Sequence, residues 1–147
     1  MIKLKIPPPL LFLCCLGIIR LLPTTLFTSD TLVWVIGGLF IAGLSIALLN
    51  LWAFWQTKTT LNPQRIEMTS TLVTTGIFRI SRNPMYLSLT LWLLAWSLFC
   101  GTFWGLLVVV AFVVYLTEFQ IKPEEQFLAQ KFGQAYLEYK QSVRRWI

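Results

Sequence analysis

Residues 31–55 read TLVWVIGGLFIAGLSIALLNLWAFW, with no charged side chain and no proline. At ~1.5 Å per residue a helix of this length exceeds the ~30 Å hydrocarbon core of a bilayer, so it can cross with some tilt. Trp52 and Trp55 close the stretch, where the aromatic belt of a span lies. Gly38, Ala42 and Ser45 recur at i, i+4 and i+7. Small side chains in that register let a neighbouring helix approach closely, and they can also pair two copies of the chain as a homo-oligomer.

The residues on either side extend the pattern. Of the 147 residues, 56% are hydrophobic and only 12% are charged, whereas soluble domains carry about one quarter charged residues. A first apolar run covers 9–27, opened by Pro7, Pro8 and Pro9, which suit a helix start because a missing N–H costs nothing there. A basic start before an apolar run also describes a signal peptide, but no small-x-small cleavage site follows and the next segment is another span. Further runs cover 84–100 and 103–121, joined by Gly101-Thr102 as a helical hairpin. Pro123 is expected to begin a tail helix over 123–145, with Glu124 and Glu125 favouring the positive end of its dipole. Leu128, Phe132, Ala135, Tyr139 and Val143 form its apolar stripe, which suits a membrane surface or the loop beside it. The expected fold is all-α: a single integral membrane domain, 1–147, with about four transmembrane helices and a C-terminal amphipathic cytoplasmic helix.

The net charge is +6, from 12 basic and 6 acidic residues. Their placement between apolar runs argues for membrane lipid rather than nucleic acid as the partner. Lys3 and Lys5, the 56–83 loop and the tail hold nearly all the basic residues, and the opposite turns hold none. The positive-inside rule therefore puts both termini and that loop in the cytoplasm, which means the inner membrane if the cell is bacterial. The chain has no His, so the commonest general base and metal ligand are both missing. Cys14, Cys15 and Cys100 lie in apolar runs without metal-ligand spacing, and no metal site is expected.

Two polar blocks flank the hairpin. The first holds Ser70-Thr71-Leu72-Val73-Thr74-Thr75-Gly76-Ile77-Phe78 and Arg82-Asn83-Pro84-Met85-Tyr86; the second holds Pro123-Glu124-Glu125 and Phe132-Gly133-x-x-Tyr136-x-x-Tyr139. A hairpin goes out and comes back, so it brings both blocks to one membrane face, where a pocket with apolar walls and a few polar groups is expected. Plainer roles compete. Arg82 can anchor at the interface, Asn83-Pro84 can simply start a helix, and Tyr86 can sit in the aromatic belt. Glu118, late in the fourth run, is explained most simply by reaching back to water.

From Ser70 to the end, these blocks resemble the isoprenylcysteine carboxyl methyltransferase family, whose pattern is Leu-Val-x-x-Gly-x-Tyr, Arg-His-Pro-x-Tyr, a Glu-Glu pair and Phe-Gly-x-x-Tyr-x-x-Tyr. The matching residues are Leu72, Val73, Gly76, Arg82, Pro84, Tyr86, Glu124, Glu125, Phe132, Gly133, Tyr136 and Tyr139. The short length and the run Gln120 to Glu125 look most like small bacterial members. The resemblance implies S-adenosylmethionine as cofactor, held by Ser70, Thr71, Leu72, Val73, Phe78, Asn83, Pro84, Met85, Tyr86 and Glu124. It also implies Arg82, Glu124 and Gln120 as the residues nearest the chemistry, and a small or lipophilic methyl acceptor. Members acting on prenylcysteine carry His at the positions of Ser70 and Asn83, Tyr at Phe78 and a substrate-orienting Arg at Gln120. A neutral amide lacks the charged fork that a carboxylate prefers, so little methylation of prenylcysteine is expected. Two other functions fit less well. A nicotinamide-dependent reductase of the sterol-reductase type has a similar tail but is usually much longer. A non-enzymatic scaffold or transporter subunit would more often carry a carboxylate in mid-span.

Overall fold

The computed structural model describes residues 6–25, 29–57 and 72–147, and all regular structure among them is helical. Ser70, Thr71, Lys3, Lys5 and half of the 56–83 loop, residues 58–71, lie outside the described residues. The helices are α1 (Pro8–Leu21), α2 (Asp30–Thr57), α3 (Pro84–Phe99), α4 (Gly105–Leu116), α5 (Lys122–Phe132) and α6 (Gln134–Ser142). A short 3-10 turn spans Gly76–Arg79, and a π turn, Thr117–Ile121, joins α4 to α5.

Proline sets two of the starts. Pro8 and Pro84 occupy first-turn positions of α1 and α3, where the backbone has no N–H to lose. α1, α3 and α4 enclose one apolar core around Cys15, Ile19, Leu93, Val109, Phe112 and Leu116. The Trp96 indole N–H donates to the Leu16 carbonyl at 3.1 Å and ties α3 to α1. α2 lies antiparallel against α3. There the Trp92 ring stacks on Phe40, and its N–H donates to the Phe40 carbonyl at 3.2 Å. Gly43 makes this possible, since a Cβ on it would stand 2.6 Å from the Trp92 ring. The expected contact face at Gly38 is not the one used: open space surrounds Gly38, because Trp92 requires the glycine five residues further on.

Among the described residues, two helical runs are long and apolar enough to cross a membrane, α2 and Gly105–Phe132. α2 keeps most of its apolar surface outside, and Trp34 and Trp55 are each 81% exposed. These rings stand 21 residues apart. That is about 31 Å along a helix, against a hydrocarbon core of ~30 Å, which is the spacing of two aromatic belts. An apolar helix with so little protein cover is a helix solvated by lipid. In the second run the apolar part is α4; from Lys122 onwards Glu124, Glu125 and Lys131 make α5 polar. α1 and α3 are apolar but shorter.

The α3–α4 turn is close-packed. Gly101 adopts φ +66°, and the buried Ser97 hydroxyl donates to the Thr102 carbonyl at 2.9 Å. A Cβ on Gly105 would lie 2.1 Å from the Ser97 oxygen. Gly105→Ala is therefore expected to displace Ser97 and lower stability by about 1–3 kcal/mol. Thermal unfolding in detergent checks this, and an unchanged midpoint would refute the packing argument.

The tail departs from expectation in two ways. α5 starts at Lys122 with Pro123 in its first turn, as expected, but no break precedes it: the chain stays helical from Gly105 to Phe132 through the π turn, whose last bond runs from the Lys122 N–H to the Thr117 carbonyl. Proline lacks the N–H that would bond the carbonyl four residues back, that of Phe119, and Phe119 lies inside the π turn. The tail then breaks at Gly133, which takes φ +55° where glycine has no Cβ to clash. The break rotates the stripe, so Tyr136 is buried and Ala135 is exposed. Tyr136 and Tyr139 pack with Ala53, Val73 and Phe78, so α6 lies on the end of α2 and the loop beside it.

Candidate functional site

Both polar blocks meet at the end of the bundle where α3 starts and the π turn stands. Tyr86, in the first turn of α3, donates its hydroxyl to Glu124 Oε1 at 2.7 Å. The Gln120 amide, buried in the π turn, donates to the same oxygen. Both bonds fall on Oε1, and among the described residues none falls on Glu124 Oε2. Burial pushes the Glu124 carboxyl up to about 7, although the Tyr86 and Gln120 bonds pull the other way. At neutral pH this group stands between its charged and neutral forms.

Glu125 turns to another side of α5, because successive helical residues differ by about 100°. Arg145 grips it with a fork: Nε to Oε1 at 2.9 Å and Nη2 to Oε2 at 2.8 Å. Arg82 Nη2 stands 3.1 Å from Oε1, and Lys140 Nζ 3.6 Å from Oε2. The Arg82 and Glu125 side chains are only 8% and 6% exposed. Burial alone would raise the Glu125 carboxyl, but the Arg145 bonds and the nearby Arg82 and Lys140 charges hold it below the usual range. The Arg82 Nε and Nη1 atoms are buried without a hydrogen bond of good geometry, although the Tyr136 hydroxyl lies beside the guanidinium.

The Ser81-Arg82-Asn83 turn leads into α3. The Asn83 N–H donates to Ser81 Oγ at 3.1 Å, and its side-chain Nδ2 donates to the Arg145 carbonyl at 2.9 Å. A carbonyl only accepts, so the amide nitrogen must face it and Asn83 Oδ1 must face away.

The structure thus joins Tyr86, Gln120 and Glu124 directly, with Asn83 and Pro84 opening the same helix. Met85 packs against the first core. Leu72, Val73 and Phe78 belong to the second core, and the Phe78 carbonyl accepts the Tyr139 hydroxyl at 2.7 Å. Arg82 pairs with Glu125 rather than with Glu124. Glu118 is exposed and bonds Lys122 at 2.7 Å, which is the solvent-facing role expected of it. Sequence reasoning passed over Glu125 and Arg145 as site residues. The adjacency of Glu124 and Glu125 carried a signal, since neighbours on a helix serve different faces. Asn50 was also passed over; it is buried in apolar α2 with Oδ1 unpartnered, and a lone amide in that run was the available sign.

Fold and site together define a helical membrane protein whose polar groups gather at one end of an apolar bundle. The chain belongs to the phospholipid methyltransferase family, whose model matches residues 32–135. That family includes the isoprenylcysteine carboxyl methyltransferases, as the motif resemblance implied. An uncharacterised protein of Haemophilus influenzae is 51% identical over 63 residues, which are 43% of this chain and all of that protein. Protein-S-isoprenylcysteine O-methyltransferase A of Arabidopsis thaliana is 38% identical over 76 residues, covering 49% of this chain but only 36% of the plant protein. No solved structure matches the chain.

Proposed function

We propose that this protein is an S-adenosylmethionine-dependent methyltransferase of the membrane, acting on a lipophilic acceptor. The observation that carries the reading is the Tyr86–Gln120–Glu124 group, which fixes one carboxylate oxygen and, among the described residues, places no hydrogen bond on the other. Glu124 Oε2 and Asn83 Oδ1 are acceptors, which fits a donor that carries an ammonium and amine N–H groups. When bound, S-adenosylmethionine would supply an electrophilic methyl carbon on a sulfonium sulfur. The chain's part is to hold and align, as displacement at carbon demands when the nucleophile is ready. Glu124 would hold the donor's ammonium, Asn83 would accept from an N–H, and the Tyr86 ring would pack beside the cation. Apolar helices next to this group support an acceptor that enters from the bilayer. Gln120, standing where prenylcysteine enzymes of the family carry Arg, has its amide engaged by Glu124, which weighs against a carboxylate substrate.

The test is titration of the purified protein with S-adenosylmethionine and, separately, with a reduced nicotinamide cofactor. Saturable binding of the first alone is the expected result; binding of the second alone would make the protein a reductase.

The same reading takes α1, α2, α3 and α4 as four spans with the 56–83 loop and the tail in the cytoplasm. Impermeant thiol labelling on a background without the native cysteines is expected to reach Ser29→Cys and miss Ser70→Cys. Outside labelling at position 70 would refute the topology.

A further inference from the structure

We infer that Arg145 is a positioning residue for the donor site, acting by clamping the 143–147 segment across the Arg82-Asn83 turn. This rests on the methyltransferase reading above. After α6 the chain turns extended at Val143. It then makes contacts with three separate parts of the site. The Arg144 carbonyl accepts the Arg82 N–H at 3.1 Å, and the Arg145 carbonyl accepts Asn83 Nδ2 at 2.9 Å. The Arg145 side chain forks onto Glu125 of α5, and the Trp146 indole N–H reaches Thr117 Oγ1 in the π turn at 3.3 Å. The Trp146 ring packs against the first core.

One residue thus does two things. Its side chain anchors the segment to α5, and its carbonyl fixes which way the Asn83 amide points. With Nδ2 held, Oδ1 is presented as an acceptor at the mouth of α3, near the end of the bundle where Glu124 stands. Without the fork, the segment keeps only single bonds, and Asn83 is free to rotate its amide. Lysine can keep the charge at Glu125 but not the two-pronged grip.

The experiment uses the full chain in detergent and compares native protein with Arg145→Ala, Arg145→Lys and Lys140→Met. Lys140→Met removes a cation from Glu125 without touching the segment, so it separates lost charge from a lost clamp. Two quantities are read: hydrogen exchange at the Arg82 amide, which reports the bond to Arg144, and the dissociation constant for S-adenosylmethionine. Arg145→Ala is expected to lose protection at Arg82 while the middle of α3 stays protected, and to weaken donor binding at least about tenfold. Arg145→Lys is expected to fall between it and native protein, and being charge-conserving it remains informative if the alanine variant does not fold. Lys140→Met is expected to bind as native. Unchanged protection at Arg82 in both Arg145 variants overturns the clamp. Lost protection with unchanged affinity overturns the positioning role. An equal loss in Lys140→Met assigns the effect to charge and overturns it too. If native protein binds no donor, the methyltransferase reading fails and this inference falls with it, while the exchange data still report the clamp separately.

Discussion

Glu125→Ala is expected to destabilise the protein by about 3–5 kcal/mol, because it strands a buried guanidinium without its counter-charge. Arg82 is almost fully covered, and among the described residues its ion-pair partner is Glu125. Arg145 and Lys140 are more exposed and can turn to water, so most of the loss comes from Arg82. Glu125→Gln keeps the shape and one acceptor and should lose less. Combining Arg82→Met with Glu125→Leu removes both buried charges and should recover much of the difference, as replaced ion pairs often do. Thermal or denaturant unfolding in detergent measures all of these. A loss below about 1 kcal/mol in Glu125→Ala would show that water reaches the pair and that it behaves as a surface bridge.

Glu124→Gln is expected to leave the fold standing and to weaken donor binding. The variant keeps an acceptor for Tyr86 but loses the charge. A charge-assisted hydrogen bond contributes about 1.5–3 kcal/mol, so affinity should fall roughly ten- to a hundredfold. The pH dependence has a definite sign. The Glu124 carboxyl lies at about 7, and a cationic donor prefers its ionised form. Native affinity should therefore rise as pH increases from about 6 towards 7.5, and level off near the usual α-amino pKa of ~7.7–8.0, where half of the donor's ammonium has discharged. For stability the sign is opposite. A carboxyl raised above its unfolded value favours the folded state when protonated, and that contribution is full below 4.5 and is lost as pH climbs from there through about 7. Calorimetric titration across this range checks both claims. Equal slopes in native protein and Glu124→Gln would remove Glu124 from the donor site.

Much of the fold was legible because lipid solvation writes itself into composition. The uncharged run over 31–55 could only be a long apolar helix, and α2 occupies 30–57. The α3–α4 hairpin was legible from Pro84 and Gly101, residues whose backbone limits act locally whatever surrounds them. The tail was less so. Its stripe was read on one uninterrupted helix, but the left-handed Gly133 resets the phase and buries Tyr136 instead of Ala135. The motif order singled out Tyr86 and Glu124, 38 residues apart, and the fold joins them by a hydrogen bond. It did not separate the two glutamates.

What the sequence determined by itself was therefore local or compositional: which runs are apolar, where proline and glycine start and stop helices, and which motif blocks the chain carries. Only the tertiary structure decided that Gly43 rather than Gly38 receives α3, that Gln120 serves Glu124, and that Arg82 and Arg145 share Glu125. The physical reason is range. Backbone preference and lipid solvation act on residues next to each other. A hydrogen bond or ion pair depends on which side chains, distant in sequence, the packed helices bring within about 3 Å.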